Sequence, residues 1–444
     1  MSKIAGRISR IPKTLWEHKK KTAFAGFLGY LGVDFAIRWN LNQKIRGFYA
    51  RQALEYGQQT ISPEVRPRRV FVLVNVEANG RHCYDDFQKN AMPLFNLAGI
   101  QVDVVKADNE VQLEALAGAI DEQEADAVYV VGGDGTMGKV VTGIFRNRTE
   151  APLPVGCYPG GCDNLWLKRM APAVFENAKD VRGACESAMA VVEGRLQPVY
   201  AFEFSIPDSE EPVQYGVGDV GAGWFRQIED KRKKLWYFGA LKRRWAYVWE
   251  MVKRSPEPLE AQVEYEMPCS GCEKCRPKPV YTPPTWRWWH ILTGTPRVKP
   301  DKTLRDFTGV LNENCGKEQE LSIRGTDFLV ENQQVYDHEL WSQLRLRMGG
   351  ENFGRFGVIA EGQRRCSEDR VGTSSQPDFY SIDLLAKSLK LKFSQFPEYI
   401  RRIYVSSNPQ TENVEEKTLR ISTTQHKINV FLPSMIRLDL ADLQ

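Results

Sequence analysis

Apolar and polar positions follow two alternating periods along the first half of the chain. Arg69-Val-Phe-Val-Leu-Val-Asn75 and Ala127-Val-Tyr-Val-Val131 are nearly continuous apolar runs ended by Asn or Gly, the pattern of strands buried on both faces. Val102–Val105 reads as another strand, while Tyr84–Ala98 and Val111–Ile120 carry helical spacing. After Gly132-Gly-Asp-Gly135, the residues Met137, Val140, Val141 and Ile144 fall at i, i+3, i+4 and i+7, so they share one helix face that Thr136 is placed to cap. Leu153-Pro-Val-Gly-Cys-Tyr-Pro-Gly-Gly-Cys-Asp-Asn164 gives a further strand and glycine turn, followed by a helix start at Leu165. Strand and helix alternating in this way predict a parallel sheet with right-handed crossovers, whose ligands bind at the carboxyl ends of the strands.

From about Gln197 the pattern shifts to short alternating runs: Val199–Ser205, Val213–Val220, Gln262–Tyr265, Gln319–Ile323, Phe356–Ala360 and Leu389–Phe393. Gly, Pro and Ser turns separate them, which indicates an antiparallel sandwich. The expected fold is α/β plus β: a doubly wound α/β domain over 61–195, then an antiparallel β-sandwich domain with insertions over 196–444. Gly216–Gly223 fits either a hairpin or a flexible lining of the cleft between the two.

Residues 1–60 are different. From Met1 to Val33 the only acid is Glu17, whereas Lys3, Arg7, Arg10, Lys13, Lys19, Lys20 and Lys21 are basic, the composition of a mitochondrial targeting segment. The apolar run Ala23–Val33, ended by Asp34, would rise about 16 Å as a helix, roughly half a hydrocarbon core. It is therefore expected to associate with a membrane by lying in the interface or entering partway. Trp39–Gln59 reads as a mixed polar helix leading to Pro63 and Pro67.

Composition narrows the picture. With 444 residues the chain exceeds one ordinary core, and 42% hydrophobic residues are enough to fill more than one. A net charge of +4 gives no general attraction to nucleic acid, so charge arguments must be local. Nine irregularly spaced cysteines argue against a secreted disulfide framework.

The chemistry concentrates at Gly132-Gly-Asp-Gly-Thr136. Strand, glycine turn and helix N-terminus together make a phosphate-binding device, because the backbone approaches the anion closely and unpaired N–H groups point at it. Asp134 among phosphate oxygens calls for a cation between them, which points to Mg²⁺. Downstream, Lys231, Arg232, Lys233, Lys234, Arg243 and Arg244 are interleaved with Trp236 and Trp245 and suit contact with an anionic membrane. Trp286, Trp288 and Trp289 form a second aromatic stretch, and Arg297–Lys317 reads as an insertion. Cys269-x-x-Cys272-x-x-Cys275 has ligand-like spacing, with His290 or Cys315 available as a fourth Zn²⁺ ligand, although such a stretch among Pro, Ser and Gly is more often an untied surface loop, and a local disulfide stays open as well.

Gly132-Gly-Asp-Gly-Thr136, then Val140-Val-x-Gly143, then Pro159-x-Gly161-x-x-Asn164 resemble the catalytic domain of the diacylglycerol-kinase-like lipid kinases, and within them the mitochondrial acylglycerol kinases. Lys89–Gly99, Val104–Asp108 and Leu235–Lys242 carry the likeness as well, over about residues 10–255. The resemblance implies ATP and Mg²⁺, and phosphorylation of mono- and diacylglycerol to lysophosphatidic and phosphatidic acid, with the lipid held in the cleft between the domains. It implies nucleotide contacts from Asn75, Gly132, Gly133, Asp134, Gly135, Thr136, Gly160, Gly161 and Asn164. Asp134 would hold the metal, and Asp134 and Asp383 would be catalytic, with Asp383 taking the hydroxyl proton. It also implies the mitochondrial inner membrane, facing the intermembrane space, with a carrier translocase as partner and no nucleic acid. Val76, Cys162, Tyr200 and Leu385 depart from the family pattern. Three alternatives stay open: a largely non-catalytic subunit supporting carrier import, a nicotinamide-dinucleotide kinase, and sphingosine or ceramide as acceptor.

Overall fold

The computed structural model describes residues 19–60, 64–178, 180–207, 212–276, 286–294, 307, 309–337, 339–400, 402–410 and 418–443. The basic stretch before Lys19, Pro63, and much of the 277–306 span lie outside the described residues.

The first half comprises α1 (Lys19–Gly57), β1 (Arg69–Asn75), α2 (Cys83–Asn90), α3 (Met92–Leu97), β2 (Gln101–Ala107), α4 (Glu110–Ala119), β3 (Ala127–Gly132), α5 (Asp134–Phe145), β4 (Val155–Pro159), α6 (Leu165–Met170), α7 (Pro172–Phe175) and α8 (Arg182–Glu193). Strands β2-β1-β3-β4 are parallel neighbours in that order. Helices cover both faces: α4 and α5 pack on one around Leu113, Val140 and Ile144, while α2, α3 and α8 pack on the other around Phe87, Phe95 and Met189. All of β3 is buried, which is why it reads as one apolar run. The expected Tyr84–Ala98 helix is two, divided at Ala91 ahead of Pro93.

The second half comprises β5 (Leu196–Ser205), β6 (Gln214–Gly216), β7 (Asp219–Gly223), α9 (Trp224–Lys231), α10 (Lys242–Lys253), β8 (Leu259–Glu266), α11 (His290–Thr293), β9 (Glu318–Gly325), β10 (Asp327–Asp337), β11 (Glu339–Gly349), α12 (Arg355–Ser367), β12 (Tyr380–Ala386), β13 (Ser388–Gln395), β14 (Ile403–Val405), β15 (Asn408–Gln410) and β16 (Thr418–Phe431). One antiparallel sheet runs β12-β11-β10-β7-β14-β15. It shares a core with β13, β8 and β9, where Phe328, Leu346, Leu389, Leu391 and Ile421 meet. The α/β domain followed by antiparallel sheets is thus the expected fold class.

Three expectations change. Phe356–Ala360 is helical, because Val358, Glu361, Gly362 and Arg365 are buried at i, i+3, i+4 and i+7. Val213–Val220 splits into β6 and β7. The sequence pattern does not predict the 14-residue β16; it pairs with β13 and β5, touches β4 at Val430–Val155, and so joins the parallel strands to β13, β8 and β9 in one ten-stranded sheet, separate from the six-stranded one.

Ala23–Val33 and all but the last two residues of Trp39–Gln59 belong to one 39-residue helix, α1, which continues through Asp34 with an ion pair from Arg38 and ends at Gly57. Its second half docks through Ile45, Tyr49 and Ala53, at i, i+4 and i+8, and Tyr49 donates to Glu186 at 2.7 Å. In its first half Phe24, Phe27, Leu28, Tyr30 and Phe35 are exposed. Among the described residues no helix is long and apolar enough to cross a membrane.

Candidate active site

Strand order reverses on either side of β1, since β2 lies to one side and β3 to the other, so the carboxyl ends of β1 and β3 flank a switch point. Asn75 ends β1, and the glycine turn ends β3. The Asn75 Nδ2 donates to Thr136 Oγ1 at 3.1 Å, which ties the two strand ends together. The residue at the N-cap of α5 is Gly133 rather than Thr136; Thr136 sits a turn inside, buried and folded back over Gly132. The Met137 N–H bonds Gly133 at 3.0 Å, which leaves the first-turn N–H groups of Asp134, Gly135 and Thr136 available to an anion.

The second glycine turn, Gly160 to Asn164, lies directly against the first. A Cβ on Gly161 would come within 2.6 Å of Gly133 Cα, so the close approach of the two backbones requires glycine. Gly161→Ala is expected to force the turns apart, lowering the melting temperature by several degrees and catalytic turnover by about a hundredfold; wild-type turnover in that variant would show that the contact is dispensable.

This second turn differs from the expected phosphate cradle. The Gly160 N–H is bonded to Gly132 and Tyr158 carbonyls at 3.0 and 2.7 Å, and the Gly161 N–H to Asn164 Oδ1 at 2.9 Å. Asn164, in the left-handed region at φ 49°, also donates to the Pro159 and Gly161 carbonyls, at 3.1 Å each. Gly160, Gly161 and Asn164 therefore shape the turn, and Gly160 and Gly161 have no N–H left for phosphate.

The first two N–H groups of α6 are also taken, by the site's central carboxylate. Leu165 donates to Asp134 Oδ2 at 2.7 Å and Trp166 to Asp134 Oδ1 at 3.1 Å. Asp134 is only 9% exposed. Burial pushes its pKa up to about 6; the N–H bonds from Leu165 and Trp166 pull it down, and the charges of Asp219 and Asp163 push it up again. Asp134 thus offers one carboxylate to a divalent cation, while Asp219 and Asp163 are each paired with an arginine, so the remaining ligands would have to come from the nucleotide phosphates.

Two cavities flank the turns. One of about 400 Å³ is bordered by Asn79, Tyr158, Gly160, Cys162, Asn164 and Lys168. The other, of about 500 Å³, lies between α6 and the six-stranded sheet and is bordered by Leu165, Lys168, Arg169, Asp219, Glu331 and Arg347. Arg169 bonds Glu331 at 2.8 Å and stands 3.6 Å from Asp219, which in turn accepts from Arg226 at 2.5 Å; Arg347 also pairs with Glu331. Sequence reasoning missed Lys168, Arg169 and Asp219. The basic pair reads as ordinary charge at a helix C-terminus, and Asp219 is hidden in a glycine-rich segment that in fact supplies β7.

Asp383 borders neither cavity. It sits on β12 opposite Arg347, and its carboxylate is gripped by Arg345 at 2.7 and 2.5 Å. The hydrogen bonds from Arg345 hold its pKa below the usual carboxylate value.

The basic-aromatic stretch divides. Arg232 is buried and spans two parts of the molecule, bonding Glu229 and Asp163 at 2.5 Å each. Arg243 bonds Glu229 at 2.6 Å, and Lys231 lies 3.4 Å from Glu250 and 3.4 Å from the centroid of the Tyr399 ring. Arg232 is buried and Lys231 and Arg243 are half-buried, and Glu229, Glu250 and the more distant Asp163 claim all three, which corrects the expectation that they contact a membrane. Lys233, Lys234, Arg244, Trp236 and Trp245 are exposed.

The family described as diacylglycerol kinase catalytic domain matches residues 69–200. An uncharacterized protein of Caenorhabditis elegans is 61% identical over 99% of this chain and 100% of its own length. The mitochondrial acylglycerol kinase of Mus musculus is 30% identical over 61% of this chain and 63% of its own, and that of Homo sapiens 29% over 58% and 60%. The crystal structure of a diacylglycerol kinase from Bacillus anthracis covers 83% of this chain and 98% of its own, at 12% identity and a TM-score of 0.46. The paired glycine turns lie inside the stretch that matches the diacylglycerol kinase catalytic domain, so residues 69–200 carry the catalytic domain of the diacylglycerol-kinase-like lipid kinases, and the chain is similar to the acylglycerol kinases over about three fifths of its length.

Proposed function

We propose that the protein phosphorylates the primary hydroxyl of mono- and diacylglycerol with ATP, at a mitochondrial membrane, giving lysophosphatidic and phosphatidic acid. The observation that carries this reading is Asp134, a buried carboxylate at the switch point held by the N–H groups of Leu165 and Trp166; it lines neither cavity itself, but Leu165 borders the 500 Å³ one. The 400 Å³ cavity beside Asn79 and Cys162 takes the nucleotide, and the 500 Å³ cavity takes the acylglycerol headgroup. Lys168 borders both and stands where a phosphate passes from one to the other.

Phosphoryl transfer depends on positioning and charge neutralisation. The N–H groups of Asp134, Gly135 and Thr136 bind phosphate oxygens, and Asn75 fixes the turn that presents them. Asp134 would hold Mg²⁺, which when bound supplies neutralisation between carboxylate and phosphate. Arg169 and Arg226 orient Asp219 at the cavity wall. Asp383, whose cross-strand neighbour Arg347 borders the 500 Å³ cavity, is proposed to turn towards that cavity and accept the hydroxyl proton once its pair with Arg345 opens.

That role has a direct consequence. Arg345→Gln frees Asp383 and restores its basicity, so kcat/KM is expected to rise by about threefold. A loss of tenfold or more would instead make Arg345 a substrate-binding group.

Membrane association is proposed through the exposed apolar residues of α1 and through Trp236, Tyr237, Leu241, Trp245 and Trp249, all exposed, with Lys233, Lys234 and Arg244 among them. The reaction is tested by incubating purified protein with radiolabelled ATP and a panel of glycerolipids, sphingolipids and NAD. Label in monoacylglycerol and diacylglycerol supports the reading; label only in sphingosine, ceramide or NAD, or in none, overturns it.

A further inference from the structure

We propose that Cys269, Cys272, Cys275 and Cys315 form a structural zinc site. Their four sulfur atoms all lie within 4.8 Å of one another. The Cys272–Cys275 separation is 3.6 Å and the Cys275–Cys269 separation 3.8 Å. A Zn–S bond of about 2.3 Å places tetrahedral thiolates about 3.8 Å apart, so these spacings suit one ion at the centre. They are far from the roughly 2.05 Å of a disulfide, and all four cysteines are free thiols.

The surroundings are those of a built site. Cys269-x-x-Cys272-x-x-Cys275 turns tightly, with the Arg276 N–H on the Cys272 carbonyl at 2.9 Å. The Cys272 N–H points at Cys275 Sγ at 3.3 Å, and Asn312 Nδ2 points at Cys269 Sγ at 3.4 Å. Donors aimed at sulfur stabilise thiolate ligands carrying a net negative charge. Cys272 and Cys315 are buried, whereas Cys275 is exposed, which leaves an entry path. His290, the alternative fourth ligand on sequence grounds, is not in the group.

The placement gives the ion a task. Cys269, Cys272 and Cys275 follow β8, and Cys315 precedes β9, its antiparallel neighbour, with Glu266 opposite Glu318. Zinc here clasps the two ends of the long segment between those strands. Four thiols become thiolates on binding and release their protons to solvent, so the site forms without any redox change. The clasp is independent of the proposed kinase activity.

The test is elemental analysis of full-length protein purified under reducing conditions from zinc-supplemented medium. About one zinc per chain is expected, falling to background in Cys272→Ser and Cys315→Ser and retained in Cys366→Ser. Cobalt exchanged into the wild type should give thiolate charge-transfer and tetrahedral d–d absorption. Should the serine variants fail to fold, titrating folded wild-type protein with an organomercurial should release one zinc per chain in step with the blocking of four thiols beyond accessible ones such as Cys162. Metal-free wild-type protein with no cobalt spectrum, disulfides among these cysteines after thiol blocking, or full zinc in Cys315→Ser would overturn the site.

Discussion

Asp134→Asn is expected to lower acylglycerol phosphorylation by about a hundred- to a thousandfold while leaving the protein folded. The two consequences come from the same burial. The carboxylate pKa rises from 3.8 to about 6 in the folded chain, and roughly two units correspond to about 3 kcal/mol lost when Asp134 ionises without a cation. Asn removes that cost. It also has a single acceptor oxygen, so either Leu165 or Trp166 loses its partner, at about 1–3 kcal/mol. The opposing effects nearly cancel at neutral pH, and the variant should melt within about 5 °C of the wild type.

The pH dependence separates them. A raised folded-state pKa means that the wild type holds this stability fully below about 3.8 and loses it as pH rises through about 6. The Asn variant lacks that decline, so it should gain on the wild type between pH 4 and pH 7 in denaturant titrations. Undiminished labelling of acylglycerol by Asp134→Asn would sink the proposed mechanism, and a parallel pH dependence of the two proteins would sink the electrostatic account of Asp134.

How much of this the sequence disclosed depends on the range of the interactions. The parallel sheet was legible because β1 and β3 are buried on both faces and read as apolar runs, and the glycine turn after β3 was legible because its glycines lie within a few residues. Contacts across long separations left no local trace. Asp134 meets Leu165 and Trp166 31 and 32 positions away, so the second turn resembled a phosphate cradle although it serves as a brace. β16 was missed because Thr423, Thr424, Gln425, His426 and Lys427 interrupt its alternation at the irregularity where its pairing with β5 shifts. Phe356–Ala360 looked like a strand because its first five residues show only the apolar run, while Glu361 and Arg365, which reveal the helical period, are charged. Arg365 is nevertheless buried, bonded to Glu361 and Asp327 at 2.9 and 2.8 Å. Charged core residues of that kind defeat a reading based on hydropathy.

Arg232 is the residue at which that failure matters most for function, and Arg232→Met is expected to destabilise the protein by about 3 kcal/mol. Its guanidinium is buried between Glu229 and Asp163, and the attraction of Asp163 and Glu229 outweighs burial and drives its pKa up. Removing it leaves Glu229, 4% exposed, with Arg243 and the Tyr247 hydroxyl as partners, so the loss stays near the lower end for a broken buried pair. Asp163 belongs to the turn that delivers the α6 N–H groups to Asp134, so freeing it loosens the carboxylate proposed to hold the metal and should reduce kcat by about tenfold. The loss should be equal on vesicles and on dispersed short-chain acylglycerol, because no membrane contact is removed. Trp236→Ser combined with Lys234→Ser should do the opposite: unchanged melting, full activity on dispersed substrate, and about tenfold weaker sedimentation with anionic vesicles. An Arg232→Met protein that melts like the wild type yet no longer binds vesicles would return this arginine to the membrane surface and refute its role as the link between the second glycine turn and α9.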